Sequence, residues 1–110
     1  MQSKIKLSKM VKSEIIVLKE ATEIYYRNLM LDEKQNDILK IFQSILQSLY
    51  NKFYDAHAKA YKQDKFSFKL MYHEAALLVK ALSFFNDATT DSYNKNLALT
   101  IILKLDPQTK

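Results

Sequence analysis

The sequence predicts an all-α protein, an up-and-down four-helix bundle whose helices are joined by short loops. Apolar residues recur every three or four positions through most of the chain, the period of helices with one buried side. The chain has no glycine and one proline, so few positions would interrupt a helix. Its 110 residues suit one compact domain, which we assign to residues 1–110.

The first predicted helix covers residues 5–31. Lysines, glutamates and Arg27 occupy the side opposite its apolar residues, as in an amphipathic helix. We expect the apolar side to face the centre of the bundle. It consists of Leu7, Val11, Leu18, Ala21, Tyr25 and Leu29.

Asp32 and Gln35 are spaced like a capping pair and predict the start of a second helix. This helix could continue to Tyr61 or Lys62, and the polar run 63–65 predicts the turn after it. Its inward side is predicted to consist of Leu39, Phe42, Leu46, Leu49, Phe53, Ala56 and Ala60.

A third helix is predicted over residues 67–85, and a polar connector over 86–91 leads to a fourth helix over 92–105. The fourth helix should end before Pro107, because the residue preceding a proline avoids helical geometry. Residues 97–103 have no strict period and would also suit a buried strand. We favour a helix because the sequence offers no second strand to pair with it, and no internal repeat is evident.

The composition excludes several classes of function. Without glycine or cysteine the chain has no glycine-rich phosphate loop, nucleophile elbow, reactive thiol or thiolate zinc site. We therefore expect a protein that is not an enzyme and has no cofactor. The longest apolar run near the start is residues 15–18, too short for a signal peptide or a membrane span. We expect no membrane span and a cytoplasmic protein.

Seventeen basic residues against twelve acidic ones give a net charge of +5. Arg27 is the only arginine, and lysine lacks the planar fork with which arginine recognises guanine, so a sequence-specific DNA reader would be unusual. An AT-rich genome would produce the same excess of lysine. The first helix nevertheless has a basic start that could attract an acidic partner, at Lys4, Lys6, Lys9, Lys12 and Lys19.

A second basic region interleaves lysines with aromatic residues over positions 52–69. Such a corner could hold a nucleic-acid backbone while its rings stack on unpaired bases. Alternatively, the aromatic residues belong to the core and the lysines to a solvated face. The lysines predicted to bind nucleic acid are Lys52, Lys59, Lys62, Lys65 and Lys69.

Three titratable residues are predicted to be buried polar groups: Glu14, His57 and Glu74. Glu14 falls within an apolar stripe, so we expect a histidine, a tyrosine hydroxyl or a lysine from another helix to meet it. Neither His57 nor His73 has a glutamate at the spacing of helical metal sites, so no metal is expected. An enzyme using Glu14 or Glu74 with a histidine is the least favoured alternative.

The third and fourth helices carry more apolar residues than one inward stripe requires. Exposing them would create a patch typical of interaction surfaces, although a less symmetric bundle could bury them instead. The residues predicted to bind a partner are Leu70, Leu77, Phe84, Leu99 and Ile102.

These features favour a small helical protein that acts by macromolecular binding, self-associates as a homodimer and binds another protein. The alternative is a basic accessory protein of phage, plasmid or viral type that binds nucleic acid. In size and helical pattern the chain also resembles the immunity proteins that protect bacteriocin producers. That resemblance would imply a helical bundle that binds a protein toxin.

Overall fold

The computed structural model describes residues 4–109 and is mostly helical, as predicted. The up-and-down bundle is not confirmed, because two segments assigned to helices are strands. The elements in chain order are β1 (Ile5–Met10), α1 (Lys12–Met30), α2 (Asp37–Ala58), β2 (Phe66–Leu70), α3 (Tyr72–Ala88) and α4 (Ser92–Thr109).

The two strands pair antiparallel and form a two-stranded ribbon. The register changes between Leu7 and Met10, where β1 contains a bulge. The partners across the ribbon are Ile5 and Leu70, Lys6 and Lys69, Leu7 and Phe68, and Met10 and Phe66.

Both strands follow a two-residue period that the helical interpretation missed. In β2, Phe66, Phe68 and Leu70 are buried and the two residues between them are exposed. In β1, Ile5 and Leu7 are buried in the same way. The predicted helices over residues 5–31 and 67–85 are therefore wrong at their starts. Those starting segments form strands instead, and the two strands pair with each other.

The same order of elements occurs twice in the described part of the chain, although the sequence shows no internal repeat. The order strand, helix, helix occurs twice, first over residues 5–58 and then over 66–109. Each strand is followed by one N-cap residue, Val11 or Met71, and then by a helix whose third residue is glutamate, Glu14 or Glu74. We call these two halves the first and second βαα units.

The inward side chains of the ribbon share one core with the helices. The ring of Phe53 in α2 meets that of Phe68 in β2 edge-on, with 5.1 Å between the ring centroids. Leu18 of α1, Leu78 of α3 and Ile101 of α4 are fully buried in the same cluster. The ribbon therefore lies on a core that needs contributions from both βαα units.

The helix ends differ from the prediction in detail. Helix α2 begins after Asn36, whose side chain accepts a hydrogen bond from the Leu39 amide at 2.9 Å, so Asp32 and Gln35 lie in the preceding loop. The preference for a helix over residues 97–103 is confirmed. Helix α4 continues past Pro107, and the Thr109 hydroxyl bonds back to the Asp106 carbonyl at 3.0 Å.

Candidate nucleic-acid interface

The outward face of the ribbon consists of lysine and serine side chains. Lys6 and Ser8 of β1 and Ser67 and Lys69 of β2 are all exposed, while the residues between them point into the core. The sequence places no acidic residue among the strand positions. The ribbon therefore presents a face that is polar, cationic and backed by a packed core.

Lys6 and Lys69 are partners across the ribbon on this face. Like charges directly opposite each other on adjacent strands destabilise a sheet by a few tenths of a kcal/mol to about 1 kcal/mol. An opposite-charge pair at the same positions would favour the folded state instead. This arrangement disfavours folding and suits a surface that binds an anion.

The bulge in β1 adds another lysine to the basic surface. Lys9 has a φ of 58°, the left-handed region that residues other than glycine enter at a cost of about 1 kcal/mol. Its side chain is exposed, as are those of Lys4 before β1 and Lys65 before β2. We call the seven residues of this surface the ribbon face: Lys4, Lys6, Ser8, Lys9, Lys65, Ser67 and Lys69.

Helix α4 holds the outer edge of β1. The Gln108 side chain accepts a hydrogen bond from the Lys6 amide at 3.2 Å and donates one to the Lys6 carbonyl at 3.1 Å. It thus occupies the backbone groups that a further strand would use at this residue. The contact fixes the backbone beneath one of the two opposed lysines.

The predicted basic corner is only partly assembled. Lys65 and Lys69 belong to the ribbon face, where Lys69 lies opposite Lys6, a lysine that the sequence had placed in a separate basic region. Lys52 is half-buried on α2. Lys59 caps the C-terminus of α2, and Lys62 lies in the turn after it, with its Nζ 5.4 Å from the centroid of the Tyr61 ring.

The two serines were missed altogether. A two-residue alternation of apolar with lysine or serine residues occurs in both segments. That signal could have identified the ribbon face, had the two segments been compared with each other.

Glu14 and Glu74 have structural roles at helix starts. Each carboxylate accepts a hydrogen bond from the N-cap amide, at 3.0 Å from Val11 and at 2.8 Å from Met71. Glu14 is buried, as predicted, and its second oxygen lies 3.6 Å from Nζ of Lys104 in α4. Glu74 is half-buried. These contacts account for carboxylates within apolar stripes without assigning them any chemistry.

His57 is half-buried at the end of α2, where its Nδ1 lies 2.9 Å from Nζ of Lys19. Since an ammonium group can only donate, the ring nitrogen accepts. Burial, together with the charges of Lys19 and Lys12, lowers the pKa of His57 below its ordinary value of 6.5. His73 is exposed on α3. Within residues 4–109, no three carboxylate or imidazole groups come together as a metal site.

The predicted partner surface is mostly internal. Leu70 and Leu77 are 0% and 3% exposed, because Leu70 points inward from β2 and Leu77 packs with Leu29 and Leu46. Phe84 is half-buried, with its ring 5.5 Å from that of Tyr25. Ile102 is half-buried against the main core. A less symmetric packing therefore covers most of the apolar surplus within one chain.

Leu99 is the member of the predicted partner set that stays exposed, at 45%. Leu103, one turn later on α4, is 73% exposed. These two leucines form a small apolar patch, which we call the α4 patch.

A groove of about 260 Å³ lies between α1 and α2. At its rim Arg27 forms an ion pair with Glu23 at 2.6 Å, so the guanidinium charge is already matched. None of the described helices combines the length and the apolar character needed to cross a bilayer.

The ribbon face thus brings together basic residues from two separate parts of the chain. Comparisons with protein-family models, with curated proteins and with solved structures gave no match.

Proposed function

We propose that this protein binds double-helical DNA by placing the ribbon face in the major groove. The observation that carries the proposal is the opposed pair Lys6 and Lys69 on the exposed side of a two-stranded ribbon. Two aligned lysines repel each other and disfavour the ribbon in water, whereas both are attracted to an anion placed between or beside them.

The dimensions of a two-stranded ribbon fit this groove. Neighbouring strands lie about 4.8 Å apart, and the major groove of B-form DNA is about 12 Å wide, enough to admit a helix or a two-stranded ribbon. Strands are an established means of reading DNA from the major groove. The deep, narrow major groove of A-form RNA does not admit protein side chains in this way.

The chemistry of the ribbon face matches the two kinds of group that the groove presents. Flanking lysines such as Lys4 and Lys65 suit phosphate oxygens, which supply most of the affinity of proteins for DNA. Central lysine and serine side chains suit the acceptors on base edges.

A binding titration with a matched charge control tests the proposal. The double variant Lys6→Gln/Lys69→Gln should bind fluorescently labelled duplex DNA at least tenfold more weakly at low salt. Its slope of log K against log salt should fall by roughly 2. The control Lys40→Gln/Lys80→Gln removes the same charge from exposed positions on α2 and α3 and should change both quantities little.

Three results would contradict the proposal. The first is no binding of duplex DNA by the wild-type protein at low salt. The second is an equal loss in the control, which would indicate diffuse attraction to the whole basic protein. The third is binding of duplex RNA as tight as that of duplex DNA, which would place the contact outside a major groove.

Self-association is a second proposal, now limited to the α4 patch. Leu99 and Leu103 lie one turn apart on the same side of α4, so two copies could bury them against each other. Light scattering should then give a dimer at high protein concentration, and Leu99→Glu/Leu103→Glu should give a folded monomer. A wild-type monomer would contradict this. Binding to another protein stays a prediction without an assigned surface.

A further inference from the structure

We infer that the ribbon reads an asymmetric DNA site, with Lys6 and Lys69 on guanines at one end of the ribbon and the two serines at the other. The inference rests on the proposed function and adds the type of sequence that the ribbon face recognises. It follows from a mismatch between the repeated fold and the residues displayed on its surface.

The inward residues define which strand positions are equivalent in the two βαα units. Allowing for the bulge at Lys9, the buried series Ile5, Leu7, Met10 of β1 corresponds to Phe66, Phe68, Leu70 of β2. Consequently Lys6 is equivalent to Ser67, and Ser8 is equivalent to Lys69. At these two equivalent positions each unit carries one lysine and one serine, in opposite order, and the first unit adds Lys9 at the bulge.

Because the two strands pair antiparallel, this reversed order makes the two ends of the ribbon different. With the same order in both strands, each lysine would lie opposite a serine and the two ends of the ribbon would be alike. In this chain Lys6 lies opposite Lys69, and the serines follow them along the two strands towards the bulge. One end of the ribbon centre therefore carries the two opposed lysines, and the other carries the two serines with Lys9 at the bulge beside them.

The two ends suit different base pairs. Although lysine lacks the planar fork of arginine, it is long enough to reach O6 and N7 of guanine, the acceptor pair that binds cationic side chains in the major groove. Because Lys6 and Lys69 come from different strands of the ribbon, they lie on the two sides of the groove and favour a guanine on each DNA strand. Serine contacts either kind of base and discriminates less. The bulge at Lys9 occurs in β1 and adds to the difference between the ends.

Selection from a randomised duplex library tests the inference directly. The wild-type protein should enrich a non-palindromic site in which guanine–cytosine pairs cluster at one end. A palindromic duplex built from the half without the guanines should bind about tenfold more weakly, the loss expected for about 1.4 kcal/mol of base discrimination.

A charge-conserving variant supplies the matched control. Ser67→Lys/Lys69→Ser keeps the composition of the ribbon face and gives both strands the same order. Both positions are exposed, so circular dichroism should show an unchanged fold. We expect this variant to prefer a palindromic site while its slope of log K against log salt stays within about 0.5 of the wild-type value.

The outcomes separate the inference from the proposed function. Enrichment of a palindrome by the wild-type protein, or no sequence preference despite salt-dependent duplex binding, would overturn the inference and leave the proposed function standing. An unchanged preference in the folded swap variant would also overturn it. If no duplex DNA binds at low salt, the proposed function and the inference both fail.

Discussion

The two βαα units use the same order of elements but hold their strands in different ways. Strand β1, from the first unit, is held at its edge by polar contacts from Gln108 at the end of α4. Strand β2, from the second unit, is held by an edge-on aromatic contact from Phe53 of α2. Each strand is therefore held by the last helix of the other unit. Exposed hydrogen bonds hold β1, and buried apolar packing holds β2.

The starts of the two units also differ. The capping glutamate of the first unit is buried and paired with Lys104, whereas that of the second is half-buried. The first strand has a bulge and the second is regular. The comparison indicates that two units with the same order of elements tolerate different local contacts, provided that both strands stay aligned above one core. Four experiments sharpen the comparison, in descending order of expected effect.

Phe53→Ala should cause the largest loss, because it removes a fully buried ring that packs on β2. Truncating a buried phenylalanine costs about 3–5 kcal/mol in the free energy of unfolding. Urea denaturation measures this change in the free energy of unfolding. Tyr93→Ala, at a 61% exposed position on α4, is the control and should cost less than about 0.5 kcal/mol. Similar losses for the two variants would contradict the assigned packing of β2.

Glu14→Ala should destabilise the protein more than Glu74→Ala. Both substitutions remove a hydrogen bond from an N-cap amide, at about 1 kcal/mol each. Only Glu14 also meets Lys104, so its removal should cost about 2 kcal/mol in total. Chemical denaturation of both variants measures the difference. Equal losses would mean that the pairing with Lys104 contributes nothing to stability.

Lys9→Gly should be about 0.5–1 kcal/mol more stable to unfolding than Lys9→Ala, because glycine adopts the positive φ of the bulge without strain. Both variants lose the same charge, so we expect equal decreases in their affinity for duplex DNA. Thermal unfolding and DNA titration of this pair separate backbone strain from charge. Equal stability of the two variants would show that the bulge is not strained by its side chain.

The pH dependence of stability should be the smallest effect. Since the fold lowers the pKa of His57, the unfolded chain takes up a proton first as the pH falls below about 6.5. The contribution of His57 to stability is therefore fully present above that pH and is lost as the pH falls below it. His57→Gln should reduce this loss of stability, whereas His73→Gln, at an exposed position, should leave it unchanged. Equal pH profiles for the wild type and His57→Gln would contradict the assignment.

The sequence predicted the helical content because most of the chain keeps a period near 3.6 residues. It did not predict the ribbon, because Leu7 and Val11 also fit a helical stripe that continues into α1, and Phe68 and Met71 fit one that continues into α3. Each strand is five or six residues long and pairs with a segment about sixty residues away. Local periodicity carries no information about such a partner.

The candidate site was missed for a related reason. Lys65 and Lys69 were predicted in one basic region and Lys6 in another, and only the pairing of the strands places Lys6 opposite Lys69. Conversely, Leu70 and Leu77 were expected on a surface because a symmetric bundle has no place for them. Leu70 instead belongs to the ribbon and points into the main core, and Leu77 packs between helices with Leu29 and Leu46.

The pairing of residues 5–7 with residues 68–70 also has a kinetic consequence. A contact between such distant segments forms only after a long loop has closed, which slows folding relative to a purely helical protein of this size. During synthesis, β1 leaves the ribosome well before its partner strand exists. The nascent chain can build α1 and α2 while the surface that we assign to DNA is still incomplete, so the protein should acquire its affinity in a single late step.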